Sequence, residues 1–236
     1  RVLAGSVNID MIAAAAPNDK GQLRVQSEGY DLCIIDLDDL EARKEEENTT
    51  ASLLRGECAA FTQRGAALTG LDVYISSNVP KGSGVSSSAA FEVLIGVILN
   101  DLFLAEKVSP IAIAQIGQWA ENVYFGKPCG LMDQMACAAG GPILLDFSDK
   151  ENISCEKIAF SFEDMGCRLV IVNTGKGHAD LSEEYSSIPM EMREAAKAMG
   201  VELLCESNME NLLAHVKDIP NDRAVLRAMH FYEENR

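Results

Sequence analysis

Basic residues are scarce in this chain. Its 236 residues include 20 Lys and Arg against 36 Asp and Glu, a formal charge of −16 at pH 7. A nucleic acid would meet net repulsion from such a surface, and no run of Lys and Arg offsets it. We therefore exclude nucleic acid as the main partner. Any phosphorylated ligand must be held by backbone amides, a helix N-terminus and a divalent cation.

The sequence also lacks a disulfide or zinc framework. Its seven cysteines are odd in number, contain no C-x-x-C pair and have no histidine at ligand spacing. This usage predicts buried free thiols in a reducing, cytoplasmic compartment. The longest apolar segment, residues 91–104, contains Glu92 and Asn100 and is shorter than the roughly 20 apolar residues of a membrane span. It predicts a core helix, and no membrane partner is expected.

Strand and helix signals alternate along the chain, which indicates a mixed fold. Strand-like segments are 23–35, 71–75 and 168–173, and helix-like segments are 53–64, 88–104 and 109–126. The heavily charged stretch 41–48 predicts a solvated helix face or loop. No secretory pattern opens the chain, and Arg1 as first residue leads us to expect a natural start further upstream.

A glycine- and serine-rich segment, Pro80-Lys-Gly-Ser-Gly-Val-Ser-Ser-Ser-Ala-Ala-Phe91, lies between a predicted strand and the longest predicted helix. Glycine allows close approach of the backbone to a ligand, and the helix that follows offers unpaired N–H groups and a positive dipole end. Together these features suit nucleotide phosphates, with a serine hydroxyl for Mg²⁺. An ordinary serine-capped turn is the alternative. The segment fits neither the Walker-A pattern nor the dinucleotide fingerprint, because Ser87 replaces its third glycine.

Two carboxylates follow this segment. Ser109 and Pro110 predict the start of a helix that ends near Gly126, and Glu121 lies beside its apolar stripe. Asp133 lies in the first turn of a short predicted helix, where the dipole favours a carboxylate. From the pattern alone, Glu121 fits a surface position. Asp133 fits either favourable helix-start placement or a base that accepts a proton from an attacking hydroxyl.

Both segments resemble motifs of one family. Residues 80–91 resemble the second motif of the GHMP kinases, P-x-G-x-G-L-S-S-S-A, with Val85 in place of leucine. Residues 121–134, E-N-x-Y-x-G-x-x-C-G-L-M-D-Q, resemble the galactokinase version of the segment that carries the base. Mevalonate and homoserine kinases share the first motif but not C-G-x-M-D-Q. The chain is therefore identified as similar to the galactokinase branch of the GHMP kinases.

The resemblance implies an α+β fold. A domain like domain 2 of ribosomal protein S5 would span residues 1–154, and part of a C-terminal α/β lobe would span residues 155–236. This architecture is an analogy and not a result of periodicity. The implied activity is ATP-dependent phosphorylation of the anomeric hydroxyl of galactose, in which catalysis rests on positioning and charge neutralisation. The implied partners are galactose and MgATP, and the sequence does not indicate an oligomeric state.

The resemblance also assigns residues. The phosphates of ATP would lie against Gly82, Ser83, Gly84, Val85, Ser86, Ser87 and Ser88. Ser88 and Glu121 would bind Mg²⁺, and Asp133 would orient or deprotonate the sugar hydroxyl. Gly130, Asp133 and Tyr185 would contact the sugar.

Two family motifs have no counterpart in this sequence. The first, G-R-V-N-L-I-G-E-H-T-D-Y, supplies an arginine near the transferred phosphate and contacts to the sugar, and the other is a glycine-rich motif near the C-terminus. We therefore expect negligible kinase activity from these 236 residues alone.

Other functions stay open on the sequence. One is a related sugar 1-kinase for N-acetylgalactosamine or arabinose. Another is a non-catalytic sensor of sugar and nucleotide, against which the presence of Asp133 and of the Ser-Ser-Ser-Ala-Ala order argues. A serine hydrolase is disfavoured because no G-x-S-x-G accompanies the three histidines.

Overall fold

The computed structural model describes residues 1–80, 84–149, 152–172 and 182–236. The chain divides into two compact units, Arg1–Lys176 and Gly177–Arg236. This division by compactness falls later in the chain than the family-based boundary after residue 154, which stays a prediction.

The strands of the first unit form two sheets. They are β1 (Val2–Gly5), β2 (Met11–Pro17), β3 (Gln22–Ser27), β4 (Cys33–Asp36), β5 (Leu71–Ser77), β6 (Pro142–Asp146) and β7 (Ser154–Lys157). One sheet has the order β2-β5-β3-β4, with a parallel β3–β5 pair and antiparallel outer pairs. The other has the antiparallel order β1-β6-β7. The predicted strand at 71–75 is confirmed, because Leu71, Val73 and Ile75 point into the core in alternation.

Four helices of the first unit pack on these sheets. They are α1 (Thr50–Gln63), α2 (Ser87–Leu104), α3 (Pro110–Ala120) and α4 (Met132–Ala139). A π-helical turn, Glu121–Phe125, continues α3 to Gly126, and a short 3₁₀ helix covers Lys44–Glu46. The predicted start of α3 is confirmed: the Ser109 hydroxyl accepts from the backbone of Ala112, and Pro110 is the first helical residue.

Helix α2 runs through the core, as the sequence predicts. Val93, Ile95 and Leu99 are buried, and the cluster they join includes residues of the four-stranded sheet and of α1. Within the described residues, α2 has the length and apolarity that could cross a membrane. Its packing against sheet and helices is that of a core helix.

Three sequence expectations need correction. The charged stretch 41–48 is not wholly solvated, because Glu46 accepts two hydrogen bonds from the buried Arg55, at 2.8 Å and 2.7 Å. Residues 168–172 form no strand; their apolar side chains are exposed, and no described strand pairs with them. The thiols are only partly buried, since Cys58 lies in the core while Cys167 and Cys205 are exposed.

The second unit is helical. It contains α5 (Ser182–Ala198), α6 (Met209–Ala214) and α7 (Asp222–Glu234), with short 3₁₀ helices at Leu204–Glu206 and Val216–Asp218. Small residues bring α5 and α7 together, because Ala195, Ala224 and Ala228 are fully buried. Glu191 on α5 pairs with Arg223 and Arg227 on α7.

Candidate active site

The serine-rich segment reaches α2 through an unusual backbone. Gly84 and Ser86 have positive φ angles of 76° and 57°, and a left-handed conformation at a serine costs roughly 1–2 kcal/mol. Ser86 is the N-cap residue of α2, yet its hydroxyl makes no capping bond to that helix. The N–H groups of the first turn of α2 are therefore not satisfied by a capping side chain, which suits an anion.

Instead, the Ser86 hydroxyl donates to Asp133 Oδ2 over 2.6 Å. Asp133 lies in the first turn of α4, where the sequence predicts it, and is half-buried. The structure thus brings together two residues that the sequence analysis assigned separately, one to the phosphate loop and one to the base. A serine hydroxyl bonded to one carboxylate oxygen fixes the orientation of the other oxygen.

Two cavities flank this segment. The first, here called the Asp133 cavity, has a volume of about 540 Å³ and is lined by Gly84, Val85, Ser86 and Asp133 among others. The second, here called the Ser88 cavity, has a volume of about 710 Å³, and Ser87 and Ser88 line it. The described part of the predicted phosphate loop therefore forms part of the wall of both cavities. Residues 84–86 line the Asp133 cavity, and residues 87 and 88 line the Ser88 cavity. Each volume lies in the range of small-molecule sites.

Some predicted site residues lie elsewhere. Gly82 and Ser83 fall outside the described residues. Gly130 is exposed, with open space where a Cβ would point, and is not among the residues that line the Asp133 cavity. Tyr185 is exposed on α5 in the second unit. The sugar contacts of Gly130 and Tyr185 stay predictions.

Glu121 belongs to a buried group that we call the acid cluster: Glu57 on α1, Glu92 on α2, Glu121 in the π-helical turn and Gln134 on α4. None of the four residues is more than 4% exposed. Gln134 Nε2 donates to Glu92 Oε2 at 3.0 Å and to Glu121 Oε2 at 3.1 Å. Lys127 Nζ lies 3.3 Å from Glu121 Oε1. Three buried oxygens, Glu57 Oε2, Glu92 Oε1 and Gln134 Oε1, have no hydrogen-bond partner.

Burial governs the ionisation of this cluster. Desolvation and the nearby Glu121 raise the pKa of Glu92 to about 8, although the Gln134 bond opposes the shift. Desolvation, with Glu92 close by, raises the pKa of Glu57 well above its usual value. Glu92 is therefore mostly the neutral acid at pH 7, and the surroundings of Glu57 favour its neutral form in the same way. Burial also raises the pKa of Cys137 to about 11, so this neighbour of the site is a thiol and not a reactive thiolate.

The two predicted magnesium ligands are not brought together as they lie. Ser88 is exposed and lines the Ser88 cavity, whereas Glu121 is buried, lines neither cavity and has both oxygens engaged. Across the described ranges, no three Asp, Glu, His or Cys side chains converge in a way that could hold a metal ion. Glu121 in this position does not fit a magnesium site shared with Ser88, and we derive no step through one.

Sequence reasoning missed Glu57, and it noted Glu92 and Gln134 without giving either a role. Glu92 carried a usable signal, since it is the first charged residue inside the apolar stretch 91–104. A carboxylate on the core side of a buried helix requires a partner. Nothing comparable distinguishes Glu57 from exposed glutamates.

Comparison with known proteins gives the class. Residues 52–141, which carry the serine-rich segment, Glu121 and Asp133, match the family model of the GHMP kinases N terminal domain. The solved structure of Lactococcus lactis galactokinase with galactose superposes with a TM-score of 0.78 at 24% identity, over 98% of this chain and 60% of that one. Residues 52–141 therefore carry the N-terminal domain of a GHMP kinase, and the predicted α+β GHMP kinase fold is confirmed.

Within that family its curated relatives are galactokinases. The galactokinase of Streptomyces coelicolor is 33% identical over 219 residues, which is 92% of this chain and 56% of the relative. The galactokinase of Bacillus subtilis is 31% identical over 234 residues, which is 94% of this chain and 58% of the relative. The chain thus spans a little over half the length of the curated relatives it matches.

Proposed function

We propose that this chain carries the nucleotide loop and the base of a galactokinase, which transfers the γ-phosphoryl group of MgATP to the anomeric hydroxyl of galactose. The observation that carries the proposal is the 2.6 Å bond from Ser86 to Asp133, at a wall shared by two cavities. The galactokinase relatives and the galactose bound by the Lactococcus lactis enzyme support the choice of sugar.

The two cavities suit the two substrates. Galactose occupies the Asp133 cavity, with its anomeric hydroxyl against the Asp133 carboxylate. ATP occupies the Ser88 cavity, and its phosphates lie along residues 84–88 at the N-terminus of α2, where N–H groups and the helix dipole attract anions. The γ-phosphoryl group then faces the sugar across the segment that separates the cavities.

Asp133 accepts the proton of the anomeric hydroxyl as that oxygen attacks the γ-phosphorus, and the bond from the γ-phosphorus to the bridging β-phosphate oxygen breaks, which releases ADP. Ser86 holds Oδ2, and the other oxygen takes the proton. Phosphoryl transfer needs little covalent assistance, so most of the rate comes from alignment and charge neutralisation, and the base adds roughly 10²–10⁴-fold. Mg²⁺ enters as part of the nucleotide substrate. Of its two predicted ligands, Ser88 lines the Ser88 cavity, whereas Glu121 is buried and lines neither cavity.

The test is Asp133→Asn in the full-length gene product, with ATP turnover measured at saturating galactose. We expect kcat to fall by roughly 10²–10⁴-fold while galactose binding persists, because the amide keeps the shape but cannot accept the proton. Asp101→Asn, at an exposed position of α2, is the matched control and should leave kcat unchanged. Full activity of Asp133→Asn would refute the assignment of the base.

The same assay separates the alternatives. Galactose and nucleotide binding without turnover in the full-length protein would favour the sensor. Faster turnover of N-acetylgalactosamine or arabinose than of galactose would favour a related sugar 1-kinase. We also propose a cytoplasmic location, which follows from the galactokinase assignment.

A further inference from the structure

Two adjacent residues of α4 contact α2 at two separate points. Asp133 accepts from Ser86, the N-cap residue of α2, and Gln134 donates to Glu92 within the same helix. Ser86 and Glu92 are six residues apart, about 9 Å along a helix axis. The second hydrogen of the Gln134 amide reaches Glu121 in the π-helical turn. The first turn of α4 is therefore held against two other elements by one buried side chain.

We propose that Gln134 is a positioning residue that fixes Asp133 against Ser86, and that Glu92 and Glu121 act as its two acceptors. The proposal rests on the proposed function, in which Asp133 takes the proton of the sugar. It gives Glu92 and Gln134, which have no other assigned role, a part in phosphoryl transfer without contact to either substrate.

The amide orientation follows from its neighbours. An amide has two N–H donors on nitrogen and only acceptors on oxygen. Gln134 Nε2 donates to two carboxyl oxygens and lies 3.8 Å from Cys129 Sγ, so a flipped amide would place its oxygen against Glu92 Oε2 and Glu121 Oε2. In that arrangement Glu121 Oε2 would lose the N–H donor that it has in the Gln134 amide. The amide thus has one favourable orientation, and the side chain acts as a rigid link between three elements.

Burial keeps this link intact. Gln134 is 2% exposed and Glu92 is 1% exposed, so water does not replace a broken bond. Gly117 on α3 makes room for Glu92, because a Cβ there would lie 3.0 Å from both Glu92 Cβ and Glu92 Oε2. Glu92 Oε1 already has no partner, so a displaced Gln134 would leave the buried Glu92 carboxyl without a hydrogen bond, and α4 would shift to relieve this. Asp133 is the next residue and would shift with it.

The test uses Gln134→Met, which keeps the length of the side chain and removes both donors. Asn211→Leu is the matched control, since the half-buried Asn211 amide also donates two hydrogen bonds, to the Met199 carbonyl and the Ser207 hydroxyl, within the second compact unit. Glu92→Gln retains an acceptor oxygen and is the conservative rescue, whereas Glu92→Met removes it.

The first readout is hydrogen exchange, by mass spectrometry, of peptides that cover 84–90 and 131–136 in this 236-residue chain. We expect Gln134→Met and Glu92→Met to speed exchange in both peptides by about tenfold, and Glu92→Gln and Asn211→Leu to leave it unchanged. The second readout is kinetics of the full-length gene product. We expect kcat of Gln134→Met to fall by about 10²-fold, as for an ångström-scale misplacement, with the KM for ATP within twofold of wild type.

Exchange and kcat that stay at wild-type levels in Gln134→Met would overturn the proposal. So would equal losses in Glu92→Gln and Glu92→Met, because Glu92→Gln keeps the acceptor oxygen that Glu92→Met removes. If Gln134→Met does not fold, Gln134→Asn, which is too short to reach both acceptors, replaces it with the same expectations. A full-length protein without kinase activity would refute the proposed function, while the exchange readout would still decide whether Gln134 holds Asp133.

Discussion

Ser86 combines backbone strain with a hydrogen bond to the proposed base. Its left-handed φ of 57° is disfavoured for any residue with a Cβ, and its hydroxyl is directed to Asp133 instead of its own helix. Two substitutions separate these effects. Ser86→Ala loses the bond and keeps the strain, whereas Ser86→Gly loses both.

We expect Ser86→Gly to be more stable than Ser86→Ala by about 1 kcal/mol, because glycine adopts positive φ without the Cβ penalty. Urea unfolding of both variants measures the difference. Both should lose activity in the full-length protein, since neither orients Asp133. Equal stability of the two variants would show that the left-handed backbone at Ser86 stores no strain.

Glu92 makes the stability of the first unit depend on pH. Its folded pKa of about 8 lies above the value near 4.3 of an unfolded glutamate, so the folded state binds the extra proton. Stability is therefore greatest below the unfolded value and decreases as the pH rises toward 8, by up to about 1.4 kcal/mol per pH unit in that window. Glu57 shifts in the same direction.

Glu92→Gln should flatten this dependence, because the amide resembles the protonated acid and does not ionise. Relative to the wild type, we expect the free energy of unfolding of the variant to increase as the pH rises from about 5.5 to 8. Urea unfolding at several pH values measures this difference. Asp101→Asn is the surface control. If the wild type and Glu92→Gln showed parallel pH profiles, Glu92 would not be the titrating group.

For single residues, the sequence indicated the chemical role better than it indicated whether the side chain is buried. Asp133 and Ser86 to Ser88 were identifiable through the motif resemblance, because the pattern alone also fitted an ordinary serine-capped turn and a carboxylate placed favourably at a helix start. The sequence could not show that Ser86 bonds to Asp133, since 47 residues separate them. Nor could it show that Glu121 lies buried against Gln134, because burial depends on how three helical elements pack.

At the scale of elements, a glycine sets the contact between α1 and the end of α3. A Cβ on Gly56 would lie 2.9 Å from both Ala120 Cβ and Tyr124 Cγ. We expect Gly56→Ala to destabilise the protein by roughly 1–3 kcal/mol despite the better helix propensity of alanine, because overpacking forces the helices apart. Thermal unfolding checks this.

The matched control is Gln63→Ala, at an exposed position near the end of the same helix. It should change stability by about 0.5 kcal/mol or less. A stabilising effect of Gly56→Ala would mean that α1 and the π-helical turn can separate at little cost.

Elements with a strong local signal were predictable. Helix α2 begins within one residue of its predicted start, α3 begins at the predicted proline, and β5 shows the predicted alternation. The strand expected at 168–173 failed over its described residues because a strand needs a neighbour, and periodicity does not supply one. The π-helical turn at Glu121–Phe125 was also not predictable, because its residue types do not differ from those of an ordinary α-helical turn at the end of α3.

At the scale of the whole molecule, the fold class came from the motif resemblance and not from hydrophobic periodicity, which indicated only a mixed α and β chain. The division into two compact units had no composition signal. The net charge, in contrast, is fixed by the sequence and affects the entire chain.

A formal charge of −16 destabilises the compact state through self-repulsion. Raising the ionic strength from about 0.01 M to 0.1 M shortens the Debye length from about 30 Å to 10 Å and weakens this repulsion. We expect Tm to rise by about 2–4 °C, which corresponds to roughly 1 kcal/mol. Differential scanning calorimetry in sodium chloride measures it, and a fall in Tm would indicate that attractive ion pairs such as Arg55–Glu46 outweigh the repulsion.

Helix α2 begins at the serine-rich segment and continues into the hydrophobic core. Its 18 residues make a rod of about 27 Å, and a rod transmits a tilt at one end to the other. A core substitution that tilts α2 would therefore also displace the serine-rich segment, and with it the proposed phosphate site. We therefore expect selection to act on substitutions around Leu99 through the catalytic rate as strongly as through stability. Substitutions that adapt the protein to heat or cold should lie away from this helix.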